Sequence, residues 1–321
     1  MRLFVTGGTG FVGRHVVDAL LTTEDSTVSV LTRENHSDGP RLTYVKGDIG
    51  DAGLLRRAMQ GHDCVVHLAG CKHRQELFHH TNIKGTQNLI DACRLSTQFR
   101  QLIYLSGVDV YGVQKSSWVD EQTECTPDTP FGRSRHEAEL IVRKFAEEKP
   151  GRVVILRPGN IFGERDPEHH LLNLLKKVRS NRFYFVGRDE QCYHVNYIDV
   201  KEVGELIKQL IGSRLARCVY IVNTPARLTE FVSILKKITN QTAVVRHLPY
   251  WPAKIAAQVF DSFPKSILRR PPINSLKLRE LTNKTVYSPA RLTNELNWRP
   301  RCPLPVALTN LHRHYLELGL L

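Results

Sequence analysis

The stretch VTGGTGFVG, residues 5–13, follows the apolar run RLFVT and opens directly onto the periodic segment FVGRHVVDALL. A strand that ends in closely spaced glycines and passes straight into a helix has a specific physical use. Gly7 permits a tight turn, Gly10 lets backbone approach a pyrophosphate, and Gly13 lets helix pack closely on strand. The helix N-terminus then offers its unpaired amides and its positive dipole end to the phosphates. The helical segment supports this reading, since Phe11, Val12, Val16, Ala19 and Leu20 share one face.

Working outward, the same alternation recurs. TVSVLTR (27–33), LTYVKGDI (42–49), CVVHLAG (64–70), QLIYLSG (101–107) and RVVILRPG (152–159) read as strands. AGLLRRAMQ (52–60), IKGTQNLIDACRL (83–95) and SRHEAELIVRKFAEE (134–148) read as the helices between them. Near-continuous apolar strand cores separated by helices predict a parallel sheet covered on both faces, and right-handed crossovers make it an α/β doubly wound fold. Beyond about residue 165 the pattern loosens. EHHLLNLLKKVRS, RFYFVG, YHVNYIDVKEVGELIKQLI, CVYIVN and LTEFVSILKKI alternate helix and strand less regularly, and PYWPAK and RRPPIN bring proline-rich turns. The expected organisation is a dinucleotide-binding domain over 1–165 with a return segment at about 193–222. A substrate-binding portion then comprises 166–192 and 223–321 and closes over the carboxyl edge of the sheet.

Composition narrows the partners. The 321 residues carry a formal charge of +13 with 41% hydrophobic residues, which suits a globular chain whose ligands are acidic. Lysine and arginine form no run of five or more, and no nucleic-acid module is present, so no nucleic-acid partner is expected. No apolar run approaches the length of a membrane span, and the chain begins on a strand without a leader pattern. The seven cysteines (64, 71, 93, 125, 192, 218, 302) are scattered without CxxC spacing. That predicts free thiols in a reducing cytoplasm and no metal site.

Several motifs together resemble the short-chain dehydrogenase/reductase superfamily, in its extended branch of epimerases, dehydratases and related reductases. The glycine spacing is TGxxGxxG; KGDIGD holds Asp48; TNIKGTQNLIDAC holds Asn82; VVILRPGNIFG and LNWRP follow. The resemblance runs over essentially the whole chain. It implies a nicotinamide dinucleotide held by Gly7, Gly10, Phe11, Val12, Gly13, Thr32, Arg33, Asp48, Ile49, Leu68, Ala69, Gly70, Arg135, Pro158 and Asn160. It also implies a homodimer through the helices at about 82–95 and 132–148, the second offering Ala138, Leu140, Ile141 and Phe145. Strand two ends VLTRENH, with Thr32 and Arg33 where an acid would bind an unphosphorylated ribose. A guanidinium there can pair with a 2′-phosphate, which favours NADP(H) over NAD(H).

The same resemblance exposes a departure. A serine, a tyrosine and, four residues on, a lysine form the family's catalytic triad; counted from VYG (110–112), those positions hold Gly107, Phe131 and Arg135. A phenyl ring has no proton to give, and arginine is not a tunable proton source. Ser106, Asp109, Tyr111 and His194 are the candidate substitutes. His136 is expected to point away from Phe131, and His79 and His80 to be exposed. Two function classes stand: an NADP-dependent carbonyl reductase or epimerase-like enzyme that does not use the usual relay, or a catalytically silent NADP(H)-binding sensor or assembly protein. The substrate is expected to be a small molecule, bulky or acidic. The stretch 249–272 could line a bulky apolar substrate, lie on a membrane surface, or pack as ordinary helix and loop.

Overall fold

The computed structural model describes residues 1–187, 190–242, 245–262 and 273–321. Seven strands form the main sheet: β1 Arg2–Thr6, β2 Thr27–Thr32, β3 Leu42–Lys46, β4 Cys64–His67, β5 Gln101–Leu105, β6 Val153–Pro158 and β7 Val219–Val222. Their order is β7-β6-β5-β4-β1-β2-β3, and every pairing is parallel. The order reverses between β1 and β4, so a crevice opens there at the carboxyl ends of the strands.

Strand alternation sorts the core into two layers. Leu3 and Val5 of β1 pack with Val16, Val17 and Leu20 of α1 (Phe11–Leu21) and with Val203, Leu206 and Ile207 of α6 (Val200–Leu210). Phe4, between them, faces the other way. It joins Leu89 and Ile90 of α3 (Gly85–Leu95) and Ala138, Val142 and Phe145 of α4 (Pro130–Glu148). Strands β4 to β7 are buried at every residue, which is why they read as unbroken apolar runs. Helix α2 (Ala52–Ala58) begins at Asp51, whose side chain accepts the Leu54 amide.

The remaining chain builds on the carboxyl edge. A small sheet orders Thr224–Arg227, His194–Asp199 and Asn160–Phe162. A third core gathers Leu171, Leu172 and Leu175 of α5 (His170–Arg179), Phe231 and Leu235 of α7 (Leu228–Ile238), and Leu308 and Leu311 of the last helix, Leu304–Glu317. The segment 193–222 is therefore shared: its first strand lies in the small sheet, while α6 and β7 return to the main body. Leu292 and Trp298, expected with the substrate portion, pack in the first core instead.

One expectation is corrected here. Ala138 and Phe145 are fully buried against the sheet, and Ile141 packs partly on the same core. Of the four residues offered for dimerisation only Leu140 is exposed. The seam between α3 and α4 is closed by Arg94, which donates to Glu148 (2.8 and 2.7 Å) and Asp91 (2.7 Å). A long helix crossing a wide sheet needs a broad apolar stripe, which accounts for the apparent surplus.

Candidate functional site

The crevice at the strand ends is a cleft of about 540 Å³. Its floor is the glycine turn. Gly7 has φ +73°, and a Cβ there would lie 2.6 Å from the Ala69 amide nitrogen. A Cβ on Gly13 would lie 2.0 Å from the Gly7 carbonyl oxygen. Backbone atoms supply both contacts, so neither position tolerates a side chain. Gly10 caps α1 in extended conformation with no side-chain hydrogen bond, leaving the first amides of the helix turned to the cleft.

The cleft wall brings together Gly7, Gly10, Phe11, Val12, Gly13, Thr32, Arg33, Asp48, Ile49, Leu68, Ala69, Gly70, Arg135, Pro158 and Asn160. At one end Asp48 accepts the Gly50 amide (2.7 Å) and contacts His80 Nε2 (2.9 Å). Burial works against its charge, but the Gly50 amide, His80 and the nearby Arg33 hold its carboxyl below the ordinary range. His80, exposed as expected, also braces Asp48 across 32 positions of sequence. No spacing signals such a pair.

A buried polar chain supports the wall behind. The Thr86 hydroxyl donates to the Asn82 carbonyl (2.6 Å), so Thr86 Oγ1 accepts from His67 Nε2 (2.9 Å). His67 Nδ1 then accepts from the Thr6 hydroxyl (2.7 Å), whose oxygen receives the Ala69 amide (3.3 Å). Asn82 clamps Cys71 through both its amide (2.7 Å) and its carbonyl (3.0 Å) and donates to Ser134 Oγ (2.9 Å). Ser134 in turn donates to the Phe131 carbonyl (2.8 Å). One network thereby fixes β1, β4, the loop after β4 and the start of α4.

Complete burial, seconded by the Arg135 charge, drives the His67 imidazole down to about 3. An unfolded histidine titrates near 6.5. The lowered value means that the neutral form stabilises the fold fully above about pH 6.5 and loses that contribution as pH falls towards 3. By pH 5 the expected loss is about 2 kcal/mol. Urea unfolding of wild type and His67→Leu at pH 7 and pH 5 checks this. The variant should be less stable at neutral pH but show the shallower pH dependence; parallel slopes would refute it.

At the other end stand Gly107, Phe131 and Arg135, the three positions counted from VYG. Phe131 lines the cleft, packed on Phe78 (ring centroids 5.9 Å apart) and beside the Arg135 guanidinium (5.4 Å). Arg135 Nη1 donates to the Leu105 carbonyl (2.7 Å), while its Nε is buried without a protein partner. Gly107 lines the cleft too, and the Asp109 carboxylate comes within 3.1 Å of where a Cβ on Gly107 would stand. Asp109 therefore crowds the space beside Gly107.

The other substitutes are engaged or placed elsewhere, although Ser106 also lines the cleft. Ser106 is buried, and its hydroxyl donates to Glu139 (2.8 Å), part of the buried Glu139–Arg157 ion pair. Tyr111 is buried, donates to the Asp120 carbonyl (2.7 Å), and has its phenol pushed up by burial. His194 lies on the small sheet opposite Arg227, with Nδ1 against the Cys192 carbonyl (3.1 Å), and does not line the cleft. His136 is also absent from the cleft lining.

Sequence reasoning missed a bridge across the mouth. Lys72 (3.0 Å) and His73 (2.7 Å), from the loop after β4, and His170 at the start of α5 all pair with Glu168. All four line the cleft. Burial works against the Glu168 charge, but Lys72 and His170 keep its carboxyl below the ordinary range. Among the described residues no group of three or more His, Cys, Asp or Glu is arranged to hold a metal ion.

The model of the NAD dependent epimerase/dehydratase family matches residues 3–213. A dTDP-glucose 4,6-dehydratase of Actinoplanes sp. is 30% identical over 188 residues, covering 51% of this chain and 58% of that protein. A UDP-glucose 4-epimerase of Azospirillum brasilense is 32% identical over 176 residues, covering 50% and 49%. The chain thus matches only about half the length of these curated relatives. Among solved structures, UDP-glucuronic acid 4-epimerase from Bacillus cereus in complex with NAD superposes with a TM-score of 0.74 at 20% identity, covering 99% of both chains.

Proposed function

This chain belongs to the NAD dependent epimerase/dehydratase family, and from that premise we propose that it is an oxidoreductase-type enzyme that binds a nicotinamide dinucleotide and acts on a nucleotide-linked sugar. The observation that carries the reading is the cleft whose glycine floor admits no Cβ and faces the open end of α1. The residues fit such a cofactor: the first amides of α1 for the pyrophosphate, Asp48 at one end, and the unpartnered Arg135 Nε at the other. When bound, the nicotinamide supplies a hydride acceptor or donor. The relatives named above act, by name, on dTDP-glucose and UDP-glucose, and the basic groups Lys72, His73 and Arg74 beside the cleft suit an acidic substrate. Carbonyl reduction is the narrower form of the same proposal. We assign 1–165 to the dinucleotide, and 166–192 with 223–321 to the substrate, apart from the stretch around Leu292 and Trp298 that packs under the sheet.

The proton is the open chemical problem. Phe131 shapes the wall without exchanging one, and Arg135 orients without donating one. Asp109, standing beside Gly107, is the group we assign to hold or accept the proton. Two facts favour a second reading, a silent binder: the Ser106 and Tyr111 hydroxyls are both committed elsewhere. Turnover by wild type and Asp109→Asn on a panel of nucleotide-linked sugars and simple carbonyls separates the two. The enzyme reading expects Asp109→Asn to lose roughly 10²–10⁴-fold in rate with unchanged dinucleotide affinity, and Phe131→Tyr to change rate only modestly. Dinucleotide binding without turnover of any substrate supports the silent reading.

Cofactor preference is a finer proposal. Several solved relatives hold NAD, whereas this chain has Arg33, and no acid, at the cleft end of β2. On the strength of Arg33 we propose a bias towards NADP(H). Calorimetry should show Arg33→Ala weakening NADP(H) far more than NAD(H); equal binding of both by wild type would overturn it.

A further inference from the structure

Helix α8 (Tyr250–Ser262), between α7 and α9 (Ser275–Leu281), is laid on the protein in an unusual sense. Its buried residues are the small ones, Ala253 and Ala257, which pack with Val186 and Leu278. Three of its large apolar residues face solvent: Trp251 is 68% exposed, Ile255 59% and Val259 50%. Spaced four apart, these three form one stripe, and two residues separate them from the alanines, about 200° around the helix. Leu248 and Tyr250, just before and at the helix start, are also exposed and extend the patch. A helix serving only to cover the body would turn these groups inward.

The sequence around the stripe carries mostly one sign of charge. From Lys236 to Pro272 the sequence carries seven Lys and Arg and a single acid, Asp261. Asp261 is occupied, accepting the Ser275 amide (3.1 Å). Lys254 lies over the Trp251 ring (5.1 Å), which places a cation beside the apolar stripe. Residues 263–272, which hold three of those basic groups, lie outside the described residues and enter only through their composition.

We propose that the outward face of α8 is a membrane-surface site, in which Trp251, Ile255 and Val259 enter the headgroup boundary of an anionic bilayer while Lys254, beside the stripe, meets its phosphates. The charge decides the occupant. The core of a protein–protein interface is depleted of lysine, whereas a Trp-bearing apolar stripe edged by unbalanced cations is the composition of an interfacial helix. At 13 residues the helix is about 20 Å long, too short to cross the roughly 30 Å hydrocarbon core. It would therefore lie in the plane of the interface. No helix among the described residues is long and apolar enough to span a membrane, which agrees with a surface mode.

The test is vesicle flotation of the full chain. Vesicles with about 30 mol % phosphatidylglycerol in phosphatidylcholine should carry the wild type at low salt, while pure phosphatidylcholine carries far less. Raising salt to about 0.5 M should release most of it. The Trp251→Glu/Ile255→Glu variant should partition at least about tenfold less, with its thermal midpoint and dinucleotide affinity unchanged, because both side chains are exposed and neither lines the cleft. Lys254→Glu should weaken partition to a smaller extent. Failure of wild type to float with anionic vesicles would overturn the proposal, as would equal partition of the double variant. So would light scattering that shows a dimer which the double variant dissociates, since a second copy would then be the occupant.

Discussion

Glu139→Leu should destabilise the protein by roughly 3–5 kcal/mol, because it strands a buried guanidinium. Both partners are fully buried. Glu139 accepts from Arg157 Nε (3.1 Å) and Nη2 (2.5 Å), from Arg143 Nε (2.9 Å) and from Ser106 Oγ (2.8 Å). Arg157 lies 4.6 Å from the centre of the Tyr111 ring, and its Nη1 already lacks a partner. Removing the carboxylate leaves the charge nothing but that ring and the Cys125 sulfur. Adding Arg157→Met should recover much of the loss, since an apolar pair of similar volume replaces a buried ion pair at little cost. Urea unfolding of the single and double variants measures both effects. A single-variant loss under about 1 kcal/mol would mean that the pair is worth no more than an exposed one.

This ion pair also has a pH signature. Burial opposes the charge on Glu139, but Arg157 and then Arg143 outweigh it, so its carboxyl titrates below the ordinary range. A depressed folded value stabilises the protein above about pH 4.5, the unfolded value, and that contribution fades as pH falls through the folded one. The gap between wild type and the double variant should narrow in acid accordingly.

Gly10→Asp should separate binding from folding. Gly10 holds φ −75° and ψ 179°, ordinary for any residue, and caps α1 without a side-chain bond. An added Cβ would stand 3.3 Å from the Gly7 carbonyl oxygen, a contact that a shift of a few tenths of an ångström relieves. Aspartate is a favoured N-cap, so stability should hold or rise. Its carboxylate would take the place of the pyrophosphate at the helix end. Two like charges about 4 Å apart at an effective dielectric of 20 repel by about 4 kcal/mol, so dinucleotide affinity should fall on the order of 10²–10³-fold. Calorimetry with NAD(H) and NADP(H) reads it. An affinity within a few fold of wild type would place the phosphates elsewhere. Gly13→Ala is the opposite control: its Cβ would meet the Gly7 carbonyl at 2.0 Å, so it should damage the fold itself.

The parts of this protein legible in its sequence are those set by local periodicity. The glycines after RLFVT, the apolar runs of β4 to β7 and the helices between them specify a doubly wound sheet, because each strand and helix advertises its buried face at its own period. The cleft wall follows, since topology carries every strand end to one edge. The residues at the positions counted from VYG are likewise a matter of identity: Gly107, Phe131 and Arg135 are what they are in any fold. Only the tertiary structure decided which hydroxyls remain. Ser106 turns into the buried charge of Glu139, 33 positions away, and Tyr111 turns to the Asp120 carbonyl. It also placed Asp109 beside Gly107, joined Lys72 to Glu168 across 96 residues, and turned the large face of α8 outward. These outcomes depend on which groups meet across the chain, and periodicity assigns a residue to a face without naming the neighbour that face will find.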